Sequence, residues 1–350
     1  MTVLVPGGSL LYRDPVYPCP FNPDLETHSV SGNPPVERAQ TVERRIALVT
    51  VITPFLAVIG SIFLFWGHGI GWIDLLAFAG MYIFTGLGVI LGFHRFFTHR
   101  SFKCVLPMKY LLGIAGCMAA EGPIYFWVAC HRRHHQCSDS EGDPHSPHME
   151  EGGFWASLKG AWHAHAGWMF NHAAENYRRL VPDLLRDKDV AFIDRHYFYW
   201  LALGLLIPAF AVMAVTQTWW GFLHGLFWGG FIRIFFVHHS TWSVNSICHL
   251  FGSSPFATRD ESRNNFFCAL FTFGEGWHNN HHAFPASSRH GLLWWQFDSG
   301  YLLIKALSFL GLTWDLIEPG SEQIEAALRK KAALATEIPE VLPPAEKFTA

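Results

Sequence analysis

Histidines at fixed spacing are the residues of this sequence most able to carry chemistry. Three clusters contain them: His94 and His99 in HRFFTH; His131, His134 and His135 in HRRHHQ; and His278, His281 and His282 in GEGWHNNHHAFP. The last two clusters share the spacing i, i+3, i+4, which on a helix places all three imidazoles on one face. Histidine is 21 of 350 residues, so about 0.08 copies of this spacing are expected by chance, and two copies indicate a function.

Clustered imidazoles predict a metal site, because the neutral ring is the commonest ligand of transition metals. A histidine standing alone is more often an ordinary polar residue, but three clusters at helical spacing reverse that expectation. Eight imidazoles exceed what one ion can hold, so we expect two ions. Nitrogen-rich ligation suits iron, copper or zinc, and does not by itself separate oxygen chemistry from hydrolysis. Attack on an unactivated C–H bond would need a redox metal and oxygen, which favours iron.

The composition is that of a chain that meets lipid. Charged residues make up only 15% and hydrophobic residues 50%, with 31 Phe and 15 Trp, which is low in charge for a soluble protein. A formal net charge of −3 argues against nucleic-acid binding, which needs a basic surface. The cysteines form no C-x-x-C pair, so neither a thiolate zinc site nor an iron–sulfur cluster is indicated.

Four apolar stretches are long enough to cross a bilayer. They cover approximately residues 47–66, 75–93, 197–217 and 219–237. Basic residues flank the outer ends of the first pair: Arg44, Arg45, Arg95, Arg100 and Lys103. The positive-inside rule therefore places both of these ends in the cytoplasm. Two further crossings return the chain there, so all three clusters fall on one side of the membrane.

A shorter apolar segment, residues of about 107–127, precedes the second cluster. A crossing there would put the clusters on opposite faces of the membrane, so we expect this segment to lie in the interface. Residues 1–40 predict an irregular cytosolic arm, and residues 321–350 predict a surface helix at 322–336 and a tail. The predicted fold is an all-α integral membrane protein with four transmembrane helices and a cytosolic helical cap that holds a di-metal site.

The clusters HRFFTHRSF, HRRHH and HNNHH, placed between paired spans, resemble the histidine boxes of membrane fatty acyl desaturases of the Δ9, stearoyl-CoA desaturase type, in a bacterial-like form. The resemblance runs from about Arg45 to Phe297. It includes EGDPHSP after the second box and TWSVNSICH before the third. Residues 41–320 would then form the desaturase domain.

The resemblance implies two iron ions held by nine histidines. One iron would be held by His94, His99, His131, His135 and His281. The other would be held by His134, His249, His278 and His282. His249 lies outside the boxes, four residues after Asn245, and Asn245 resembles the family's asparagine that touches the second iron through a water. Trp127, Thr241 and Trp242 match residues that line the bend of the family's acyl tunnel, with plain interfacial packing as the alternative.

Two departures bear on the acyl carrier. Animal acyl-CoA members have Arg-Asp where this chain has Ala129-Cys130, and Arg-Lys where it has His172-Ala173. Both changes remove groups that meet the CoA head, for which Arg178 and Arg179 are candidate substitutes. A CoA thioester is favoured, and an acyl lipid or an acyl-carrier-protein substrate is the alternative.

Other polar residues have no assigned role. Histidines without a ligand counterpart are interpreted as lying around the metal site or on the surface: His145, His148, His163, His165, His238, His239 and His290. Among these, His238 and His239 are the most relevant because they lie near Asn245. Arg233 falls inside the fourth span, where an ionisable residue is costly and often functional.

The activity implied is O₂-dependent removal of hydrogen from two adjacent methylenes of a saturated fatty acyl chain, which leaves a cis double bond at Δ9. The expected partners are the acyl substrate, membrane lipid and a separate electron donor such as cytochrome b5 or a ferredoxin, since no haem-binding or cysteine-rich donor segment is evident. The expected location is a bacterial inner membrane or its equivalent, with the metal site and both termini on the cytoplasmic side.

Two rival functions remain. A histidine-box hydroxylase acting on alkanes or sterols would differ in whether the carbon radical is trapped by oxygen, and TWSVNSICH favours the desaturase. A histidine-lined metal transporter or sensor belongs to a different class. It predicts metal-binding or charged residues within the spans, where only His224 and Arg233 occur.

Overall fold

The computed structural model describes residues 36–67, 69–149, 152–171 and 177–337. Most of the predicted arm, the tail after residue 337 and the pair His172-Ala173 lie outside these ranges. The first helix begins at Val36, inside the stretch that the sequence assigns to the arm. At the other end, the predicted surface helix is present as Ser321–Glu337.

Four helices are long and apolar enough to cross a membrane, as the sequence predicts. They are Arg45–Leu64, Trp72–Thr98, Tyr197–Thr216 and Trp219–Leu250. The fourth helix extends well past the predicted end at residue 237. Its last turns carry His, Ser and Asn side chains, so the apolar signal stops while the helix continues.

The elements follow in chain order. The helices are α1 Val36–Leu64, α2 Trp72–Leu87, α3 Leu106–Met118, α4 Ile124–Cys137, α5 Phe154–Trp162, α6 Trp168–Asn171, α7 Pro182–Leu185, α8 Lys188–Arg195, α9 Tyr197–Thr216, α10 Trp219–Gly225, α11 Arg233–Leu250, α12 Phe266–Phe271, α13 His278–Ala283, α14 Ser299–Phe309 and α15 Ser321–Glu337. Wider, π-helical segments cover Gly88–Thr98, His163–Gly167 and Leu226–Ile232. Strands β1 (Lys103–Cys104) and β2 (Thr313–Trp314) pair antiparallel.

Glycines let α3 pack closely against the end of the second span. A Cβ atom on Gly88 would lie 2.3 Å from the backbone nitrogen of Gly116, and one on Gly92 would lie 2.8 Å from the carbonyl oxygen of Leu112. Neither position tolerates a side chain, because real Cβ atoms do not approach backbone so closely. This contact fixes the π-helical segment that carries the first histidine box, and such segments are frequent at functional sites.

Helix α3 has 13 residues, which span about 20 Å and cannot cross a hydrocarbon core of about 30 Å. The sequence predicts an interfacial segment here, and that placement stays a prediction. A turn at residues 119–123 joins α3 to α4, which carries the second histidine box.

The buried Arg233 holds this turn against the spans. Its guanidinium donates to the carbonyl oxygens of Met118 (2.7 Å), Gly204 (2.8 Å) and Gly229 (3.1 Å). His238, on the same helix, bonds the carbonyl oxygen of Ala119 at 3.0 Å. No carboxylate pairs with Arg233 among the described residues, so backbone carbonyls satisfy it. Its role is to connect α3, α9 and α11, which the sequence did not indicate.

Candidate metal centre

Four elements bring the nine predicted histidines together. The first box ends the second span, the second box lies on α4, His249 ends α11 and the third box forms most of α13. Spans two and four run in the same direction, so their histidine-bearing ends meet at one end of the helix bundle. The convergence that the sequence predicts is therefore present, across residues 94–282.

Five of these histidines form the first group. Ligand nitrogens of His94, His99, His131, His135 and His281 all lie within 4.8 Å of one another. Their Nε2 atoms form close pairs: His94 with His281 at 3.1 Å, His99 with His131 at 3.2 Å, His131 with His135 at 3.0 Å, and His135 with His281 at 2.9 Å. The five imidazoles thus aim the same atom at one point.

The remaining four histidines form the second group. Ligand nitrogens of His134, His249, His278 and His282 lie within 4.8 Å of one another. The Nε2 atoms of His249 and His278 are 3.0 Å apart. The Nε2 atoms of His134 and His282 are buried and have no hydrogen-bond partner among the described residues. Orphaned buried nitrogens are rare unless something else satisfies them.

Four buried carboxylates orient the rings from behind. Each accepts a hydrogen bond from the Nδ1 atom of one histidine. The pairs are Glu275 with His94, Asp143 with His134 at 3.0 Å, Asp139 with His249 at 2.8 Å, and Asp260 with His282 at 2.8 Å. A carboxylate at Nδ1 fixes the tautomer that leaves the Nε2 lone pair free, which is the usual arrangement around metal-binding histidines.

This geometry fits two nitrogen-rich metal sites. Where Nδ1 holds the proton, two facing Nε2 atoms at about 3 Å direct lone pairs at each other, which is unfavourable unless a cation lies between them. Two ligands at right angles on one ion, each about 2.1 Å from it, lie about 3.0 Å apart. The observed separations of 2.9–3.2 Å match that value. The assignment of each histidine to an ion stays a prediction.

The local electrostatics favour ionised carboxylates and neutral imidazoles. Burial would raise the pKa of the Asp139, Asp143, Asp260 and Glu275 carboxyls, but the facing imidazoles hold each pKa below its ordinary value. Burial, followed by the neighbouring imidazoles, lowers the pKa of His99, His131, His135, His278 and His281 well below the ordinary value. Ionised carboxylates and neutral imidazoles are the forms that metal binding requires.

A buried ion-pair network joins the first box to the region after the third. Arg95 is fully buried and donates to Glu275 (2.9 Å), Asp298 (3.0 Å) and the carbonyl oxygen of Ser288 (2.8 Å). Glu275 therefore bonds both Arg95 and His94. A buried cation with two anionic partners and full hydrogen bonding is stable, whereas removing one partner is costly.

The predicted tunnel residues lie beside the centre. Trp127 stacks on His131, with ring centroids 5.2 Å apart, and its Nε1 donates to Glu121 at 2.9 Å. Thr241 donates to the other oxygen of Glu121, so one carboxyl joins two of the three residues. Trp242 is buried against His238, with centroids 4.7 Å apart. Asn245 is partly buried one turn before His249. Their predicted contacts with substrate, and that of Asn245 with metal, remain predictions.

The histidines without a predicted ligand role fall into separate surroundings. His148 bonds the carbonyl oxygen of His249 at 2.9 Å. His290 is buried, and its ring lies 4.6 Å from that of His281. His165 bonds His239 at 2.9 Å, and neither residue belongs to the two groups. His145 lies 4.5 Å from His134, ring to ring.

Sequence reasoning missed the acidic residues: Glu121, Asp139, Asp143, Asp260 and Glu275. A signal was available for some of them, because Asp143 lies in EGDPHSP and Glu275 in GEGWHNNHH, next to histidine boxes. Buried metal-binding histidines need an acceptor at Nδ1, so nearby acids are reasonable candidates. Asp260 has no such signal, since it lies in a loop 22 residues from His282.

Comparison with known proteins finds a family and several relatives with similar sequences. A family model described as fatty acid desaturase matches residues 70–308. The hex-5-enoyl-[acyl-carrier protein] acetylenase of Moorena producens is 46% identical over 277 residues, which cover 79% of this chain and 86% of that protein. The sn-1 stearoyl-lipid 9-desaturase of Synechocystis sp. is 41% identical over 256 residues, 72% of this chain and 73% of that protein.

A third relative is named for a different acyl carrier, coenzyme A. The probable acyl-CoA desaturase of Schizosaccharomyces pombe is 38% identical over 239 residues, which cover 67% of this chain and 47% of that protein. The family match covers well over half of the chain and includes all nine histidines. Together with the four membrane-length helices and the two histidine groups, it confirms the resemblance seen in the sequence: this chain belongs to the fatty acid desaturase family.

Proposed function

We propose that this protein introduces a cis double bond at Δ9 into a saturated fatty acyl chain, with O₂ as the co-substrate. The observation that carries the proposal is the pair of buried histidine groups beside Trp127 and Thr241. Relatives named as 9-desaturases support the position of the double bond. The chain would be an integral membrane enzyme of fatty acid biosynthesis.

Two iron ions would occupy the two histidine groups. Iron suits the donor set, because imidazole nitrogens bind it well and removal of hydrogen from an unactivated methylene needs a redox metal. When bound, the irons would supply the reductive activation of O₂. The chain's own residues hold the rings, exclude water from the buried site and position the acyl chain against it.

Electron supply must come from a separate protein. One turnover takes one O₂, two electrons, two protons and two hydrogens of the acyl chain, and it yields the alkene and two waters. We propose a small donor of the cytochrome b5 or ferredoxin kind, docking on the side of the membrane where the metal centre lies. That side is proposed to be the cytoplasm, from the basic residues that flank the first pair of spans.

The carrier of the acyl chain, whether CoA, a lipid or acyl-carrier protein, is a separate question from the reaction itself. The resemblance favours a CoA thioester, whose phosphates need cations. At the positions that carry Arg-Asp in animal members, Ala129 and Cys130 are buried and uncharged. Arg178 and Arg179 are exposed and are the candidate CoA contacts. Relatives are named for acyl-carrier-protein, lipid and CoA substrates, so a direct comparison of the three carriers is needed to choose among them.

A second candidate function is acetylenase activity. It is favoured by one observation, the 46% identity to an acetylenase. That reaction would remove a second pair of hydrogens from an existing double bond, with the same centre and the same donor. A hydroxylase would instead add one oxygen to the chain.

Product analysis tests the function. The protein would be expressed in a host that lacks unsaturated fatty acids, and the lipids would be analysed by mass spectrometry. We expect an alkene at Δ9, which has lost one pair of hydrogens. The His278→Ala variant should give no product, while His196→Ala, outside both groups, should retain activity. An alkyne would favour the acetylenase, an alcohol the hydroxylase, and full activity of His278→Ala would refute the ligand assignment.

A further inference from the structure

An open groove of about 290 Å³ lies between α5 and the last turns of the fourth span. The residues that matter in its lining are Leu158, Trp162, His165, Ser246, Ile247 and Leu250. None of the residues that line it is acidic or basic apart from His165. The groove is therefore suited to a hydrocarbon rather than to a phosphate-bearing group.

The polar groups at the groove floor satisfy one another. His165 bonds the Ser246 hydroxyl through Nδ1 at 3.0 Å and bonds His239 through Nε2 at 2.9 Å. Ser246 also donates to the carbonyl oxygen of Trp242 at 3.1 Å. Burial, followed by the neighbouring His239, lowers the pKa of His165 to about 4. The floor is therefore neutral at physiological pH and places no charge in the groove.

The groove opens beside the end of the fourth membrane-length helix. Ile247 and Leu250, in its wall, belong to the fourth membrane-length helix. On the other wall, α5 exposes Phe154, Trp155 and Trp162, each more than half accessible. A short helix that presents aromatic side chains on one face is typical of an element lying in the lipid interface. These exposed aromatic side chains suit the mouth of the groove to a lipid environment.

One residue at the groove floor contacts a predicted tunnel residue. The ring of His165 meets Trp242 edge to face, with centroids 5.9 Å apart. Trp242 is one of the predicted tunnel residues. Ser246 precedes His249, a member of the second histidine group, by less than one helical turn. An acyl chain in the groove would therefore lie against the wall of the predicted tunnel.

We propose that this groove receives an acyl chain of a membrane glycerolipid, so that the substrate enters sideways from the bilayer while still attached to its lipid. The proposal rests on the proposed desaturase function and assigns its carrier. The occupant is an acyl lipid because the walls are apolar, the floor is neutral, and the opening lies between the fourth membrane-length helix and the exposed aromatic side chains of α5.

The carrier is tested with the metal-loaded protein in membranes of the expressing cell, which supply the electron donor. Deuterated stearoyl chains would be offered as a glycerolipid, as stearoyl-CoA and as stearoyl-acyl-carrier protein in separate reactions that are too short for transfer between carriers. Mass spectrometry would locate the deuterated alkene. We expect the glycerolipid to be converted directly.

The groove is tested with Ala161→Trp, since Ala161 lines it and an indole there would fill part of it. The matched control is Ala202→Trp, which adds the same group to an exposed position on α9. We expect conversion of the glycerolipid to fall about tenfold or more in Ala161→Trp, with an unchanged metal content, and to stay normal in Ala202→Trp. A phosphatidylglycerol with a photoreactive acyl chain should cross-link to residues 158–165 in the unsubstituted protein.

The outcomes separate the two proposals. Conversion of stearoyl-CoA or of the acyl-carrier-protein substrate, with the glycerolipid untouched, overturns the groove proposal and leaves the desaturase function standing. A metal-loaded protein that converts none of the three overturns the desaturase function. Direct conversion of glycerolipid without a cross-link in the groove, and with equal rates in both tryptophan variants, places lipid entry elsewhere and overturns the groove assignment.

Discussion

The four carboxylates behind the imidazoles determine how the rings present their nitrogens. Asp260 accepts from Nδ1 of His282 at 2.8 Å and also from the backbone nitrogen of Ser262 at 3.0 Å. Its position is therefore fixed from two sides. A ring that lost this acceptor would be free to rotate or to change tautomer, and its Nε2 would be a poorer ligand.

Replacing Asp260 by Asn is expected to weaken metal binding by roughly tenfold or more, since changes at such supporting residues usually cost 10–100-fold in affinity. The measurement is metal content per chain after dialysis against a graded series of chelator concentrations. Asp315→Asn removes an exposed carboxylate that pairs with Lys103 and serves as the control. Equal retention of metal by both variants would show that Asp260 does not orient His282.

Glu121 is a carboxyl whose change of protonation near neutral pH should alter the stability of the protein. Burial raises its pKa to about 7, although the hydrogen bonds from Thr241 and Trp127 lower it. A carboxyl with a folded-state pKa above its unfolded value of about 4.3 favours folding less as pH rises. Its destabilising effect is therefore absent below about pH 4 and complete above about pH 7.

Glu121→Gln keeps the size of the side chain and removes the charge. We expect the variant to have a higher melting temperature than the parent at pH 8, with the difference closing as the pH falls toward 5. The measurement is thermal unfolding of the detergent-solubilised protein across that range. Glu322→Gln, on the exposed side of α15, should shift neither curve. A pH-independent difference for Glu121→Gln would argue against a titrating carboxyl at this position.

At the level of residues, the sequence predicted that the histidines come together wherever their spacing carries information, and their role as ligands stays a prediction. The boxes at i, i+3, i+4 repeat a pattern that chance does not supply, and both groups contain the predicted histidines. His249 needed the family resemblance, because a single histidine has no local pattern. Asp260 and Glu121 were missed for the same reason: each contacts its partner only through the tertiary fold.

At the scale of elements, the turn between α3 and α4 is held by side chains of the fourth span. Arg233 and His238 bond the carbonyl oxygens of Met118 and Ala119, and Thr241 donates to Glu121. This turn leads directly into α4 and the second histidine box. The fourth span thus positions box two as well as contributing His249.

Arg233→Met should destabilise the protein, because the carbonyl oxygens of Met118 and Gly204 would be buried without a donor, at about 1–3 kcal/mol each. We expect a drop of several degrees in the melting temperature. Arg233→Lys should recover part of it, since an ammonium can reach one of these oxygens. Thermal unfolding monitored by size-exclusion chromatography measures the effect, with Arg329→Met on the exposed face of α15 as control. Unchanged stability of Arg233→Met would mean that water replaces the guanidinium.

The spans themselves were predictable because about 20 uncharged residues leave few alternatives. The sequence did not predict that a helix continues beyond the end of its apolar stretch, or that its winding changes. The fourth helix continues through HHSTWSVNSICHL, which reads as polar. The π-helical segment Gly88–Thr98 depends on the close approach of α3 to Gly88 and Gly92, a tertiary contact that has no signature along the chain.

At the scale of the whole molecule, the two ends of the helix bundle differ: short links join the spans at one end, and the longer segments lie at the other. Short links join the paired spans, and the structure describes residues 65–67, 69–71 and 217–218 of them, whereas the two histidine groups lie at the opposite end of the helix bundle. The short turns present Trp66 and Trp219, which are largely exposed, as expected for aromatic residues at a membrane boundary.

Labelling of single cysteines tests the proposed orientation. In a background without other reactive thiols, a membrane-impermeant maleimide applied to intact cells should label Trp66→Cys and Trp219→Cys. Arg329→Cys, on α15, should react only after the membrane is opened. Labelling of Arg329→Cys in intact cells would place the metal centre on the outer side and contradict the proposal.

The wide separation of the paired nitrogens along the chain has a consequence for biosynthesis. His94 and His281 touch although they are 187 positions apart in the chain, and His281 is synthesised only after all four spans have been made. Until α13 is synthesised, the earlier boxes can offer at most an incomplete coordination sphere. Loading of the proposed metal ions would therefore come late in synthesis, and a nascent chain stalled before Trp277 would lack the ligands needed to retain them.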